Sequence, residues 1–170
     1  STLMHTLFPY TTLFRSRHYL NRMRYFLRFA YDGTAFHGSQ RQPNGVTVQE
    51  TMEQALALIF REEVQLTFAG RTDAGVHAHE MYAHFDIGDE EMRREGERLV
   101  FRLNGILPDS IAIFDIYSVT DDAHARFSAT RRTYEYHIVD HKDPFLCQQA
   151  TRVRPGLDFA AMNEAAQLLI

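Results

Sequence analysis

The chain has 170 residues, of which 22 are acidic and 18 are basic, so its formal net charge is -4. Hydrophobic residues make up 45% and charged residues 24%, which are values of a globular domain and exclude an intrinsically disordered chain. A single cysteine, Cys147, excludes an internal disulfide framework and a cysteine-rich zinc site, and no apolar run approaches the ~20 residues of a membrane-spanning helix.

The acidic excess is confined to the middle of the chain. Residues 81–125 carry 4 cations and 10 anions, a charge of -6, whereas residues 1–80 and residues 126–170 each carry +1. Of the 18 cations, 17 are arginines, and 13 of these lie outside the acidic block. Because a local field can differ in sign from the net charge, the total does not exclude an anionic partner such as a nucleic acid.

Residues 1–22 differ in composition from the rest of the chain. They contain no acidic residue, and they show no sustained helical or strand period. Pro9 interrupts their apolar run and arginines follow it, which reverses the order found in a secretory signal. An arginine- and serine-containing segment can also mimic a transit peptide. We interpret residues 1–22 as a non-native or disordered leader and take Met23 as the start of the folded chain.

The elements after the leader alternate between strand and helix. Residues 25–31 place apolar side chains at every second position and end at the Asp32-Gly33 turn signal, which predicts a first strand. Thr47 stands three residues before Glu50, the spacing of a capping box, and an apolar helical face continues from there to Phe60. The later elements are predicted as strands at 64–68, 81–85 and 111–119 and as a helix at 89–103 that Gly96 weakens.

The predicted order is therefore strand, helix, strand, strand, helix, strand. This is the split βαβ, or ferredoxin-like, arrangement of an α+β fold, in which an antiparallel sheet carries its helices on one face. A further strand at 133–139 would extend or cross the sheet, and another helix begins near Leu157. Because that helix reaches Ile170 without a stop signal, we expect the chain to end inside an element and to be a fragment.

The segment Gly70-Arg71-Thr72-Asp73-Ala74-Gly75 is the richest in chemistry, and it lies between two predicted strands. Glycines at both ends permit a tight turn and the close approach of another chain. Arg71 stands two residues before Asp73, so its guanidinium can hold that carboxylate ionised and oriented, as a nucleophile requires. The alternative is an Asx-type turn in which Asp73 bonds to its own loop.

Two further clusters suit the recognition of RNA. Between Arg126 and Tyr136, three arginines and three aromatic residues lie within eleven positions. Arginine forks bind phosphate, and a tyrosine ring such as that of Tyr134 can stack on a base. An arginine-decorated edge strand with buried tyrosines is the alternative. The loop around Gln40 and Arg41 adds amide and guanidinium donors.

Three neighbouring histidines, His77, His79 and His84, do not predict a metal site. His79 and His84 are five residues apart, whereas two ligands on one helical face stand four apart. On a strand, this odd spacing would point the two rings to opposite faces. We therefore expect no bound metal.

Taken in order, these motifs closely resemble the TruA-type tRNA pseudouridine synthases over about residues 24–170. The Gly-Arg-Thr-Asp-Ala-Gly segment is the most specific part of the resemblance. The matching segments are Tyr31-Asp32-Gly33-Thr34, Gly38-Ser39-Gln40-Arg41-Gln42, Val48-Gln49-Glu50, Gly70-Arg71-Thr72-Asp73-Ala74-Gly75-Val76-His77-Ala78, His124-Ala125-Arg126-Phe127-Ser128-Ala129-Thr130 and Arg132-Thr133-Tyr134-Glu135-Tyr136.

The resemblance implies an isomerase that needs no cofactor and converts uridine to pseudouridine in the anticodon stem-loop of tRNA, at tRNA positions 38 to 40. Asp73 matches the catalytic aspartate, Arg71 the arginine that pairs with it, and Tyr134 the tyrosine that stacks on the uracil. It further implies a cytoplasmic homodimer, unattached to membranes, with each active site in a cleft between two similar halves. The residues expected to contact substrate are Gln40, Arg41, Arg126, Arg131, Arg132 and Tyr134.

The chain departs from the family pattern at three places. Ser39 stands where the family usually has tryptophan, so an aromatic packing group is missing and weaker RNA docking is expected. The leader has no counterpart. The chain also stops near the start of the family's second half, so we expect it to be C-terminally truncated. We therefore expect a leader at 1–22, an N-terminal α/β half with the catalytic loop at 23–140, and the incomplete start of a second half at 141–170.

Two other functions fit the same fold. The first is an inactive or non-catalytic tRNA-binding module, for which Asp73 is only a turn residue. The second is a ferredoxin-like domain that binds a small molecule or a protein, and the order of the motifs disfavours it. Release of tritium from carbon 5 of uridine in tRNA separates an enzyme from a binding module.

Overall fold

The computed structural model describes residues 22–169, so the predicted leader lies outside the described residues except for Arg22. The chain divides into two compact units between Thr130 and Arg131. The domain boundary predicted at residue 140 falls inside the second of them. Among the described residues, no helix is long and apolar enough to cross a membrane.

The first unit contains a four-stranded antiparallel sheet in the order β2-β3-β1-β4. One helix joins β1 to β2 and two helices join β3 to β4, which confirms the ferredoxin-like arrangement predicted from the sequence. The elements are β1 (Arg22–Tyr31), α1 (Val48–Phe60), β2 (Thr67–Phe68), β3 (Ala78–Gly88), α2 (Asp89–Glu95), α3 (Arg98–Ile106) and β4 (Ile111–Val119).

Strand β1 is an inner strand of the sheet, and every second one of its side chains packs in the core. Leu27 and Phe29 point to one face, where they are completely buried. On the same face they join the apolar side chains of the helices, such as Leu56 and Leu103, in a single hydrophobic core. The helices thus cover one face of the sheet, as predicted, and the alternation of β1 is the sequence signal for that layering.

Helix α1 begins as its capping box predicts. The Thr47 hydroxyl accepts a hydrogen bond from the Glu50 N–H at 3.3 Å, which satisfies one of the free donors of the first turn. The single helix predicted at 89–103 is wrong, because Gly96 adopts a positive φ of 51° that ends α2 before α3 begins. Glycine adopts a positive φ at little steric cost, which lets the chain leave the helix at this position.

The strand predicted at 64–68 pairs only at Thr67–Phe68. Val64 and Leu66 are buried, as their alternation predicts, but the Leu66 N–H donates to the Glu53 carboxylate at 2.9 Å instead of to a neighbouring strand. A side-chain acceptor has therefore replaced the strand partner at this position.

The second unit contains a separate two-stranded parallel sheet formed by β5 (Ile138–Val139) and β6 (Thr151–Arg152). The strand predicted at 133–139 is therefore shorter than expected, and it does not extend the four-stranded sheet, because its hydrogen-bonding partner is β6. Helix α4 (Phe159–Ala166) confirms the helix predicted after Leu157, and a short 3-10 turn follows it. The Asp158 carboxylate accepts the Ala161 N–H at 3.0 Å and caps the helix.

Candidate functional site

The loop from Gly70 to Gly75 is held through the backbone of its third residue, Thr72. Ser39, which has no exposed surface, donates its N–H to the Thr72 carbonyl at 3.0 Å and accepts the Thr72 N–H on its hydroxyl at 2.8 Å. The Tyr31 and Thr72 hydroxyls are hydrogen-bonded at 2.8 Å. The serine that stands in place of the expected tryptophan thus fixes the centre of the loop, a role that an indole could not fill because it accepts no hydrogen bond.

The end of the loop packs directly on the turn that follows β1. The Gly33 N–H donates to Nδ1 of His77 at 3.2 Å, so this histidine stabilises the turn after β1. A Cβ added at Gly33 would lie 2.0 Å from the Val76 carbonyl oxygen. Gly38 has a φ of 89°, and a Cβ there would lie 2.8 Å from the Thr72 carbonyl oxygen. Glycine is required at both positions by the closeness of two backbones.

Asp73 is exposed at the tip of this braced loop. Its main-chain carbonyl accepts the Val76 N–H at 3.2 Å, which closes the turn. Within residues 22–169, its carboxylate makes no hydrogen bond and no ion pair, with Arg71 or with any other group. Within the described residues, neither the pairing with Arg71 predicted from the sequence nor the alternative Asx-type turn is formed, and the carboxylate is available to a ligand.

A cavity of about 200 Å³ opens beside the loop, and three of the predicted site residues line it. Gln40, Arg71 and Arg126 come from three distant parts of the first unit. Gln49 adds a second amide, and Leu66 and Phe68 contribute apolar surface. Two guanidinium groups beside amide donors suit an anionic, planar ligand such as a nucleotide.

The sequence interpretation missed Glu53, which supports one wall of this cavity. The residue is only 8% exposed, yet its carboxylate accepts from Gln49 Nε2 and from the Leu66 N–H, each at 2.9 Å. Arg41 pairs with it at 3.0 Å. Arg41, predicted to contact substrate, therefore neutralises a buried carboxylate here. A glutamate on the apolar face of α1 was the signal that could have revealed this network.

Arg126 reaches the cavity from a segment that belongs to no helix or strand. The Ala125 N–H donates to Nδ1 of His84 at 3.1 Å, and the Arg126 N–H donates to Nδ1 of His124 at 3.2 Å. Arg24 donates to the carbonyl oxygens of Asp121 and Ala123, at 3.0 and 3.1 Å. The segment is therefore anchored to the sheet just before the residue that enters the cavity.

The pKa of His84 is lowered from 6.5 to about 4, mainly by burial, and the charges of Arg24 and His124 contribute to the lowering. The ring is thus neutral near pH 7 and can accept a hydrogen bond. The hydrogen bond to Arg24 is the main cause of a lowered pKa at Asp86, so this carboxylate remains ionised beside it.

The lowered pKa of His84 predicts a pH-dependent stability. Between about pH 6.5 and pH 4 the unfolded chain binds a proton at this residue that the folded chain does not bind. The free energy of unfolding is therefore expected to fall as the pH falls through this window. The slope of this free energy against pH corresponds to the uptake of at most about one proton on unfolding. Urea unfolding between pH 7 and pH 4.5 measures it, and a His84→Asn variant should show the shallower slope. Equal slopes would contradict the prediction.

The remaining predicted residues, Arg131, Arg132 and Tyr134, belong to the second unit and are exposed. Tyr134 is 72% exposed and Tyr136 is 83% exposed. The alternative of an edge strand with buried tyrosines is therefore wrong. The roles of these three residues in binding and catalysis stay predictions.

Comparison with known proteins identifies clear relatives. A family model described as tRNA pseudouridine synthase matches residues 28–128. The chain is 48% identical over 146 residues to tRNA pseudouridine synthase A of Bacteroides fragilis and 49% identical over 150 residues to that of Parabacteroides distasonis. It is 42% identical over 141 residues to the protein of the same name from an Exiguobacterium species.

These alignments cover most of this chain but only part of the relatives. They include 86%, 86% and 83% of the present chain, and 57%, 57% and 56% of the three relatives. The chain thus spans a little over half the length of the curated proteins that it matches.

Proposed function

The chain belongs to the tRNA pseudouridine synthase family, and from this membership we propose that it contributes the catalytic loop of an enzyme that isomerises uridine to pseudouridine in tRNA. The proposed targets are uridines of the anticodon stem-loop, at tRNA positions 38 to 40. The observation that carries the proposal is the exposed Asp73 carboxylate, which lacks a partner within residues 22–169 and sits on a braced loop beside a cavity lined by arginines.

The proposed reaction begins with attack of the Asp73 carboxylate on the nucleoside. The bond between N1 of uracil and C1′ of ribose breaks, the base rotates, and a new bond forms between C5 and C1′. The proton leaves C5, N1 gains one, and the bond to Asp73 is broken again. Uridine and pseudouridine are isomers, so the atoms and electrons balance without an oxidant or reductant. Tyr134 would stack on the uracil and assist removal of the C5 proton.

We propose that the cavity binds the RNA backbone next to the reacting uridine. A base in a stem-loop must leave its stack before a side chain can reach its glycosidic bond. We assign Arg71 and Arg126 to the phosphates that flank this flipped nucleotide, because both residues line the cavity and an arginine fork binds phosphate. Arg131 and Arg132 would bind more distant phosphates. Arg41 would act through its pair with Glu53.

A family resemblance also supports a cytoplasmic homodimer for the complete protein, and this stays part of the proposal. One competing function stands beside this proposal, in which the chain binds tRNA without modifying it.

Tritium release distinguishes the two functions. The full chain is incubated with tRNA that carries tritium at carbon 5 of its uridines, and release of tritium into water is expected. A matched tRNA with cytidine at positions 38 to 40 should release none. Binding of tRNA without any release would overturn catalysis and leave the binding module, and absence of both would overturn both functions.

A further inference from the structure

His84 lies on the face of the sheet opposite the helical core. Its neighbours Ala83 and Phe85 point into the core, so the alternation of β3 turns His84 the other way. A side chain on that face could remain in water, but His84 is only 6% exposed. Its ring stacks on Phe26 with centroids 6.0 Å apart and meets the edge of His124 at 4.6 Å. Something other than the main core therefore buries it.

The covering group is the irregular segment between β4 and the end of the first unit. The Ala125 backbone, buried like the histidine, donates its N–H to Nδ1 of His84. Since Arg126 is the next residue, this hydrogen bond acts one peptide away from a guanidinium that lines the cavity. Without regular structure in the segment, such anchors decide where the side chain goes.

A second anchor holds the beginning of the same segment. Asp86 lies two residues from His84 on the same strand and binds the Arg24 guanidinium through two contacts of 2.8 Å. Arg24 in turn donates to the carbonyl oxygens of Asp121 and Ala123. Adjacent outward-facing residues of β3 thus fix both ends of residues 121–125, through an ion pair at one end and a neutral ring at the other.

We propose that His84 is a positioning residue for substrate binding, which holds the Ala125 N–H so that Arg126 enters the cavity beside Arg71. This proposal rests on the proposed function, because it assigns the cavity to tRNA phosphate. His84 itself does not touch the RNA. The charged and titratable groups around its ring are Arg24 from β1, Asp86 from β3 and His124 from the segment itself. Its neutral state near pH 7 agrees with the role of an acceptor.

Two substitutions with similar polarity separate this role from simple filling of space. His84→Asn keeps an acceptor at the position of Nδ1, whereas His84→Gln moves the amide one bond farther from the backbone. Hydrogen exchange of the Ala125 amide, followed by NMR without RNA, reports the contact directly. We expect slow exchange in the wild type and in His84→Asn, and at least about tenfold faster exchange in His84→Gln. Equal exchange in the two variants would overturn the proposed contact.

Binding of tRNA at several salt concentrations tests the consequence. His84→Gln should weaken binding about tenfold and reduce the salt slope by about one, which is the signature of a lost phosphate contact. Arg126→Gln should have the same effect, and the double variant should lose no more than either single variant. His84→Asn should bind like the wild type. Losses that add in the double variant would overturn the role of His84 through Arg126.

A matched control comes from the same strand face. Tyr82 lies two residues from His84, and its hydroxyl donates to Glu80 at 2.5 Å. Tyr82→Phe should leave both the Ala125 exchange rate and the salt slope unchanged. If the wild type binds no tRNA, the proposed function fails and with it the substrate role of His84, whereas the exchange experiment still decides the contact on its own.

Discussion

Asp73→Ala is expected to reduce tritium release from tRNA by about a thousandfold or more, because the substitution removes the proposed attacking group. Binding of tRNA should change by less than about threefold, since neither the fold nor the cavity depends on this side chain. The carboxylate makes no hydrogen bond or ion pair in the described part of the chain. The urea midpoint should therefore stay close to that of the wild type.

Asp109→Ala is the matched control for this experiment. Asp109 is also an exposed aspartate of the first unit, in the turn before β4. Its removal should leave both release and binding unchanged. Full tritium release by Asp73→Ala would contradict the proposal that Asp73 is the nucleophile. Loss of binding in parallel with release would instead make Asp73 a substrate-binding residue.

Gly33→Ala is expected to destabilise the first unit by about 3 kcal/mol, the upper range for overpacking. The added Cβ would lie 2.0 Å from the Val76 carbonyl oxygen and 2.6 Å from the Val76 carbonyl carbon. Both are backbone atoms, so no side-chain rotation can relieve the clash. Either the end of β1 or the loop that carries Asp73 must move. Urea unfolding should show a lower midpoint, and tritium release should fall with it.

Gly105→Ala is the matched control, and it is expected to raise the stability instead of lowering it. Gly105 lies inside α3, and nothing lies within 4 Å of the Cβ that alanine would add there. Alanine should therefore stabilise the chain by about 0.5–1 kcal/mol, the usual difference in helix propensity. An unchanged midpoint for Gly33→Ala would show that the two backbones can separate without loss, contrary to the packing described above.

Local patterns in the sequence were sufficient for the order of the elements. The alternation in β1 and the capping box at Thr47 depend on residues a few positions apart, and both features are present in the structure. The division of the second predicted helix at Gly96 is also local, but it depends on the conformation that the glycine adopts. Composition indicates that a helix is weakened there and does not indicate whether it ends.

The cavity could not be predicted in the same way. Gln40, Arg71 and Arg126 are far apart in sequence, and only the folded sheet brings them together. The loop composition predicts that Arg41 contacts RNA, whereas its partner Glu53 is visible only when α1 is packed. The sequence places His84 among three neighbouring histidines that suggest metal ligands, whereas the folded ring accepts a backbone amide. Such partners depend on tertiary contacts that no spacing rule contains.

The bracing of Thr72 by Ser39 and Tyr31 has a consequence for how this protein can change over generations. The hydrogen bonds that hold the loop involve Thr72, while the chemistry is assigned to the residues on either side of it. A substitution at Asp73 is therefore expected to eliminate the proposed reaction and leave the shape intact. Descendants with such a substitution would keep a folded surface for other uses, and a single reverse substitution would restore the proposed active site.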